Sequence, residues 1–260
     1  MTSVSAATVL YNNDVDQVIR LVRNISDVMG CFESFRFYLI NNSPENDELT
    51  ALLSTYSQNP NICVLTLAKN KGFGAGNNAI INQISSDYHF VINPDVLIDS
   101  SQQIRRMVDF MNINKEYGML APLIKFPNGQ VQHLLKQEPS VFDMALRFLG
   151  LPFFNKRKQW FINLPDGYSY IHRAVNVPGS FMMFRTNLFK QIGGFDENYF
   201  LYMEDSDITM KINEVSEAVF FPNAFVYHEW QRQNRKSLKG IFQMISSMNK
   251  FFNKWGWKLW

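Results

Sequence analysis

Three carboxylates lie within four residues in the stretch Glu204-Asp205-Ser206-Asp207, directly after an aromatic segment. Acidic residues that follow such a segment are expected to open a helix that faces a pocket. A carboxylate placed there can act as a general base or hold a metal ion. Asp205 is the preferred base, and Glu204 and Asp207 could orient it, contact an acceptor or raise its pKa. The alternative is an acidic cap stabilised by the helix dipole.

A glycine-rich segment occupies residues 70–78, with the sequence Asn-Lys-Gly-Phe-Gly-Ala-Gly-Asn-Asn, between a predicted strand and a predicted helix. Glycines let backbone N–H groups approach a ligand closely, and a helix N-terminus favours anions. The segment matches neither the dinucleotide fingerprint nor the phosphate-loop pattern, because no Lys-Ser/Thr pair follows the last glycine. A tight turn is the structural alternative.

Two further side chains could bind a metal. Asp95 ends a predicted strand in Asn93-Pro94-Asp95, and a carboxylate there can hold a divalent ion that bridges a diphosphate. His228 also ends an apolar strand, and imidazole is a ligand for manganese-like and zinc-like ions. A turn role for Asp95 and a structural role for His228 are the alternatives.

The turn Pro178-Gly179-Ser180 precedes an apolar strand and could present backbone N–H groups to an acceptor or a diphosphate. A plain turn is the alternative. Taken together, the acidic cluster, the glycine-rich segment and Asp95 indicate an enzyme that holds an activated, phosphate-bearing donor.

Strands and helices alternate over the first 95 residues, which predicts a mostly parallel α/β sheet covered by helices on both faces, with right-handed crossovers. In such sheets ligands bind beyond the carboxyl ends of the strands. The predicted strands are 4–11, 35–40, 61–67 and 88–92, and the predicted helices are 14–29, 45–57 and 75–84.

The pattern changes after residue 95. An Asn-Gly pair at 128–129 is a hairpin signal. Residues 139–172 are irregular and aromatic, and we expect a loop or short-helix insertion there that shapes an acceptor site. The other predicted elements are helices 100–114 and 205–213, strands 118–125 and 218–227, a strand over 175–185 that is broken by the turn at 178–180, and a terminal amphipathic helix from 237.

Composition limits the class of protein. The chain has 260 residues and is 46% hydrophobic, enough for one large domain or two small ones with a sizeable core. Two cysteines do not make a disulfide framework and are expected to be buried and reduced, as in a cytosolic protein. The N-terminus does not resemble a signal peptide, and no apolar run is long enough to span a membrane.

The tail is basic and rich in tryptophan. From Trp230 to Trp260 it carries no acidic residue and four of the five tryptophans, which suggests contact with a membrane surface or a phosphate-bearing partner. Packing on the domain or a homodimer contact is the alternative. The basic residues of this tail are Arg232, Arg235, Lys236, Lys239, Lys250, Lys254 and Lys258.

In this order, the segments resemble family 2 glycosyltransferases of the GT-A (Rossmann-like) fold. The resemblance is greatest to bacterial rhamnosyltransferase-like enzymes of O-antigen and other surface polysaccharides. It implies a GT-A domain over 1–230, with a nucleotide-binding half at 1–95 and an acceptor-binding half at 96–230, and a basic C-terminal helix over 231–260. The segments that carry it are residues 8–12, 40–43, 70–78, 93–95, 179–183, 193–197 and 204–207, with His228.

The resemblance also implies roles for particular residues. Asp95 would be the last acid of the Asp-X-Asp metal motif, with Asn93 in place of the first, and His228 would complete the metal site. Asp205 would be the general base of an inverting displacement, and Gly179 and Ser180 would lie near the acceptor. The implied donor-binding residues are Asn12, Asn42, Lys71, Gly72, Gly76, Asn93 and Asp95.

The implied function is an inverting glycosyltransferase that uses Mg²⁺ or Mn²⁺. The donor would be dTDP-rhamnose, with a UDP-sugar as the next choice, and the acceptor a lipid-linked saccharide at the cytoplasmic face of the inner membrane. A sugar nucleotidyltransferase would need a basic glycine-rich loop after the first strand, where residues 11–14 read Tyr-Asn-Asn-Asp. A non-catalytic nucleotide- or saccharide-binding module is the other alternative. Nucleic-acid binding would need a broader basic face.

Overall fold

The computed structural model describes residues 2–150, 152–229 and 238–260; Trp230, Arg232, Arg235 and Lys236 of the basic tail lie outside these ranges. The strands are β1 Val4–Leu10, β2 Phe35–Asn41, β3 Ile62–Thr66, β4 Tyr88–Ile92, β5 Val96–Leu97, β6 Tyr117–Lys125, β7 His172–Arg173, β8 Phe181–Arg185 and β9 Glu217–His228. The helices are α1 Val15–Met29, α2 Asp47–Tyr56, α3 Phe73–Asn78, α4 Ser101–Ile113, α5 Val141–Leu149, α6 Asn155–Phe161, α7 Thr186–Gln191, α8 Glu204–Val215 and α9 Leu238–Trp255.

One sheet runs through the domain in the order β3-β2-β1-β4-β8-β6-β9-β5, and β7 pairs with β9. The parallel α/β half predicted from the sequence is confirmed, because β1 to β4 pair in parallel. The other half is mixed, since β8 runs antiparallel to both β4 and β6. The carboxyl ends of the parallel strands β1, β2 and β4 therefore lie together at one end of the strands, where polar residues follow each strand.

Hydrophobic side chains cover both faces of the sheet. On one face, Ile25 of α1 and Ile104 of α4 belong to the core cluster. On the other face, Phe189 of α7 and Ile208 of α8 are fully buried. Burial on both faces explains why the central strands are continuous apolar runs rather than alternating ones.

The insertion between β6 and β7 contains two short helices, α5 and α6. Ser140 caps α5 by accepting the backbone N–H of Asp143, and Gly150 ends it in the left-handed conformation. Asp143 in turn accepts two hydrogen bonds from the Arg157 guanidinium, at 2.7 and 2.6 Å, which join α5 to α6. The loop or short-helix insertion expected over 139–172 therefore contains two short helices, and its part in shaping an acceptor site stays a prediction.

Other elements differ from the sequence prediction. The strand expected over 175–185 is interrupted by the Pro-Gly-Ser turn, as predicted, and only the part after the turn, β8, forms a strand. The expected helix over 75–84 is shorter as α3 and is followed by a 3-10 turn at Ile81–Gln83. Cys31 is exposed rather than buried, and both thiols are free.

Helix α9 packs on the domain rather than standing apart. Phe251 and Phe252 are buried, and the Ser247 hydroxyl donates to the Leu201 carbonyl at 2.8 Å. The chain then crosses to α5, where the backbone N–H of Val141 donates to the Lys258 carbonyl. The opposite face of α9 leaves Phe242 79% exposed. Among the described residues, no helix has the length and hydropathy needed to cross a bilayer.

Candidate active site

The acidic cluster begins α8 after an unusual turn. Tyr202 and Met203 both adopt positive φ angles, 70° and 68°, which non-glycine residues rarely do. The Met203 side chain is buried, and its carbonyl accepts the backbone N–H of Asp207 at 2.8 Å. This turn fixes the direction in which the first residues of α8 point.

Asp205 presents an accessible carboxylate, with 20% of its side chain exposed. One oxygen accepts the backbone N–H of Ser206 at 2.8 Å, and the other lies 3.8 Å from the Lys136 ammonium. Gly179 lies directly against it, because a Cβ at that position would come within 3.3 Å of the Asp205 Cβ. The structure thus brings together the predicted base and the predicted Gly179 turn.

The same turn links Asp205 to the end of β4. The Ser180 carbonyl accepts the backbone N–H of Asn93 at 2.9 Å, and its buried hydroxyl has no partner among the described residues. Asn93, expected to replace a metal-binding acid, accepts the backbone N–H of Val96 through its carbonyl. Residues 178–180 and 93–95 therefore form adjacent turns at one edge of the sheet.

Glu204 is buried beside the base. Burial, followed by the negative charge of Asp205, raises its pKa from 4.5 to about 8, although the Lys136 ammonium opposes the shift. One carboxyl oxygen of Glu204 has no hydrogen-bond partner among the described residues. The pair consequently combines an accessible carboxylate with a buried neighbour whose raised pKa favours the protonated form.

We expect Glu204→Gln to change how stability depends on pH. Between pH 4.5 and about 8 the folded chain keeps a proton that the unfolded chain has lost, so the contribution of Glu204 to the free energy of unfolding falls as pH rises. The neutral amide should remove that loss. At alkaline pH the free energy of unfolding of the variant should exceed that of wild type by on the order of 1 kcal/mol, which raises Tm by a few degrees. Thermal melts at pH 6 and 9 measure this.

The matched control is Glu214→Gln, an exposed position on the same helix. It should leave the difference between the two melts unchanged. If Glu204→Gln gave the same difference between pH 6 and pH 9 as wild type, the proton would not reside on Glu204.

Asp207 lies away from Asp205 and the cleft, unlike the orienting or acceptor-contacting role expected from sequence. Its side chain is fully buried, and one oxygen accepts bonds from the Trp255 indole and the Lys254 ammonium, both at 2.8 Å. Lys254 also pairs with Asp196 at 2.8 Å. Positions two apart on a helix face different directions, which explains the separation from Asp205. We assign Asp207 to the attachment of α9.

The short strand β5 brings Asp95 to His228. Val96 pairs with His228 across the antiparallel β5–β9 ladder, and the Asp95 carbonyl accepts the backbone N–H of Glu229 at 2.9 Å. The His228 Nε2 atom then lies 3.3 Å from a carboxylate oxygen of Asp95. Two groups far apart in the chain are thereby placed side by side.

Gln132 determines which nitrogen of His228 carries the hydrogen in the neutral ring. Its amide nitrogen donates to the carbonyls of His228, at 2.6 Å, and Lys125, at 3.4 Å, so its oxygen must face His228 Nδ1, 3.0 Å away. Nδ1 therefore carries the hydrogen, and in the neutral ring the Nε2 lone pair faces the Asp95 carboxylate. Sequence reasoning missed Gln132 because glutamine is not itself a candidate metal ligand.

Two lone-pair donors that face each other at 3.3 Å fit a bound cation. A carboxylate and an imidazole together suit manganese-like ions better than calcium. No group of three or more His, Cys, Asp or Glu side chains suited to a metal occurs in the described part of the chain. A divalent ion held here would take its other ligands from a diphosphate and water, as Mg²⁺ commonly does.

We expect Gln132→Leu to weaken metal-dependent nucleotide binding by about 10–100-fold, the usual cost of losing a partner that orients a metal ligand. The leucine cannot accept the Nδ1 hydrogen, so His228 would lose its fixed tautomer. Calorimetric titration of nucleoside diphosphate with Mn²⁺ measures the effect. Gln130→Leu, at an exposed position two residues away, is the matched control and should bind as wild type does. Equal affinities for both variants would contradict the role.

The predicted donor-binding residues gather at the ends of β1 and β2. The buried Asn42 amide donates to the Asn70 side chain at 2.9 Å and to the Gly72 carbonyl at 3.2 Å, and it accepts the backbone N–H of Lys71 at 2.9 Å. Asn42 therefore holds the glycine-rich segment in place. Asn12 has a positive φ of 52° and is exposed at the same edge.

The glycines of this segment allow close packing. Gly72 has φ +85°, and a Cβ there would lie 2.1 Å from the Phe200 carbonyl oxygen. A Cβ on Gly76 would lie 2.8 Å from the Val9 side chain, so α3 packs closely on β1. The glycine-rich segment therefore contacts Phe200, just before the acidic turn. Lys71, near the start of the segment, is exposed.

Comparison with known proteins agrees with this architecture. The model of Glycosyl transferase family 2 matches residues 5–193, well over half of the chain. The mannosyltransferase PcManGT from Pyrobaculum calidifontis, solved with GDP-Man and Mn²⁺, superposes with a TM-score of 0.67 at 13% identity, over 97% of this chain and 64% of that one. TarS 1–349 of S. aureus, solved with UDP, superposes with a TM-score of 0.61 at 17% identity, over 96% and 66%.

Similar sequences point the same way. The N-acetylglucosaminyl-diphospho-decaprenol L-rhamnosyltransferase of Mycobacterium tuberculosis is 30% identical over 182 residues, which are 65% of this chain and 59% of that protein. Rhamnosyltransferase WbbL of Escherichia coli is 24% identical over 182 residues, 66% of each chain. This chain thus spans about three-fifths to two-thirds of the length of these relatives. The matched family model, the shared sheet and the ordered motifs together show that the chain belongs to glycosyl transferase family 2.

Proposed function

We propose that this chain is an inverting glycosyltransferase that moves a sugar from a nucleoside-diphosphate donor to a lipid-linked saccharide. The observation that carries the proposal is the placement of Asp205 and the Asp95–His228 pair on adjoining turns, joined by Gly179 and Ser180. Asp205 can accept a proton, and the Asp95–His228 pair can hold a cation that binds the anionic end of a donor. A transferase needs both groups close to the reacting sugar.

In the proposed reaction Asp205 accepts the proton of an acceptor hydroxyl. The hydroxyl oxygen bonds to the anomeric carbon while the bond from that carbon to the phosphate oxygen breaks, so the configuration inverts and a nucleoside diphosphate leaves. The positive charge of Lys136 lies beside the base throughout. A divalent ion held by Asp95 and His228 would offset the charge on the departing diphosphate.

The names of the relatives support the choice of substrates. Both similar enzymes are rhamnosyltransferases, so L-rhamnose from dTDP-rhamnose is the favoured donor sugar, and a UDP-sugar is the alternative. The mycobacterial name specifies a sugar linked through a diphosphate to decaprenol, which favours a polyprenyl-linked acceptor here. We place the reaction in surface-polysaccharide synthesis such as O-antigen assembly, at the cytoplasmic face of the inner membrane.

Peripheral contact with the membrane is part of the proposal. Phe242 and Ile245 are exposed on the outer face of α9, and Trp257, Leu259 and Trp260 are exposed just beyond it, next to Lys258. Aromatic and apolar side chains among lysines suit the membrane interface. Because the other face of α9 is packed on the domain, the contact would use a surface of the folded domain.

The experiment that tests the proposal is calorimetric titration of dTDP, UDP and GDP into the purified protein, with and without Mn²⁺ or Mg²⁺. We expect metal-dependent binding of dTDP, followed by transfer from dTDP-rhamnose to a polyprenyl-diphosphate-linked sugar with inverted anomeric configuration by NMR. Tighter binding of UDP than of dTDP would instead indicate that the donor is a UDP-sugar. If the folded protein bound none of the three nucleotides, the result would favour the alternative that the chain is a non-catalytic binding module.

A further inference from the structure

A continuous groove leads from Asp205 to helix α9. One cavity lies at the acidic turn, and among the residues that line it are Lys136, Glu204 and Asp205. A second cavity lies between α5 and α9, and its lining includes Ile241 and Met248. The two cavities adjoin, because the same four side chains line both: Met144, Arg147, Tyr202 and Met244.

The chemistry of the groove changes along its length. At one end are the carboxylate of Asp205 and the ammonium of Lys136, 3.8 Å apart. In the middle lies Arg147, an exposed arginine in the last turn of α5. Towards α9 the lining is mainly methionine and isoleucine, whose flexible or branched apolar side chains accommodate irregular hydrocarbon.

This order matches a molecule with three parts: a hydroxylated sugar, an anionic linker and an apolar chain. Arginine binds phosphate oxygens in a bidentate manner, and a lysine nearby adds a second positive charge. A water-soluble saccharide acceptor has no apolar part that could fill the end of the groove near α9. The donor nucleotide would occupy the other side of the base, where Asn42 and the glycine-rich segment lie.

Building on the proposed function, we propose that this groove binds the diphosphate and the first isoprenoid units of the lipid-linked acceptor. Arg147, with Lys136, holds the diphosphate, and Met144, Met244 and Met248 line the path of the chain. The sugar at the other end then reaches Asp205. The rest of the lipid leaves along α9, beside the exposed Phe242 and Ile245, towards the bilayer.

Farnesyl diphosphate is a short probe that carries both features, and calorimetry in saturating nucleoside diphosphate and Mn²⁺ confines it to the acceptor side. We expect wild type to bind it, and Arg147→Ala to bind it at least 10-fold more weakly. Arg20→Ala, which removes an exposed arginine from α1, should bind as wild type does. Inorganic pyrophosphate and farnesol should each bind more weakly than farnesyl diphosphate.

The apolar half of the groove has its own pair of variants. Met244→Glu places a carboxylate in the groove and should lower the affinity for farnesyl diphosphate at least 10-fold, whereas Asn249→Glu adds the same charge at an exposed position on α9 and should not. Unchanged affinity in both Arg147→Ala and Met244→Glu would overturn the assignment. So would pyrophosphate binding as tight as that of farnesyl diphosphate.

Nucleotide titrations of the same variants separate this inference from the proposed function. Arg147→Ala and Met244→Glu should bind nucleoside diphosphate with wild-type affinity, which also shows that they are folded. Metal-dependent nucleotide binding without any farnesyl diphosphate binding would overturn the groove and leave the transferase proposal intact. Farnesyl diphosphate binding that depends on Arg147, in a protein that binds no nucleotide, would support the groove and overturn the transferase proposal.

Discussion

Asp205→Asn is expected to lower the transfer rate by about 10²–10⁴-fold, the usual contribution of a positioned general base. The asparagine has the same size and can still accept the backbone N–H of Ser206, which Asp205 accepts at 2.8 Å. It cannot accept the proton of the acceptor hydroxyl at neutral pH. The affinity for nucleoside diphosphate should stay within a few-fold of wild type, because the nucleotide is proposed to bind at Asn42 and the glycine-rich segment rather than at the base. Steady-state kinetics and calorimetry on one preparation measure both quantities.

A suitable control is Asp109→Asn, an exposed aspartate on α4 that lies outside the site. It should keep full activity. If Asp205→Asn lost nucleotide binding together with turnover, the residue would hold the donor or the fold, and the assignment as base would be wrong.

Asp95→Asn should remove the dependence of nucleotide binding on metal, with a loss of affinity of at least 10-fold in Mn²⁺. The amide nitrogen would face the His228 Nε2 atom, now 3.3 Å from the carboxylate, and could donate to it, which replaces a cation site by a neutral hydrogen bond. Titration of the favoured nucleoside diphosphate with and without Mn²⁺ detects the change. In the absence of metal, wild type and variant should bind alike.

Asp99 provides the comparison for this second variant. It is an exposed carboxylate four residues further along the chain, and Asp99→Asn should keep the metal dependence of wild type. If both variants responded to Mn²⁺ as wild type does, the ion would be held elsewhere and the pairing of Asp95 with His228 would be structural.

The strands of the first half could be predicted from sequence because each is a short apolar run that ends in polar residues. Their convergence at one edge then follows from parallel pairing, which places Asn12, Asn42 and Asp95 in one region of the domain. The family could likewise be recognised from the order of the motifs. Both predictions are confirmed, whereas the roles of the individual site residues stay predictions.

What the sequence did not reveal depends on long-range contacts. The two-residue strand β5 is too short to leave a periodic pattern, yet it brings Asp95 to His228. Gln132 gives no sign of its role until its amide is seen between two carbonyls and an imidazole. Asp207 belongs to the same acidic cluster as Asp205, and only the position of α9 shows that the two have different partners.

Because α9 packs against α8, residues at the end of α9 contribute to the stability of the protein interior. Lys254 and Trp255 are the partners of the buried Asp207 carboxylate, two residues from Asp205 on the helix that carries it. A buried charge that loses its partners is costly, so a stop codon at position 254 would place an uncompensated carboxylate within α8. Loss of residues 254 and 255 alone should therefore disturb the helix that carries Asp205, the proposed base.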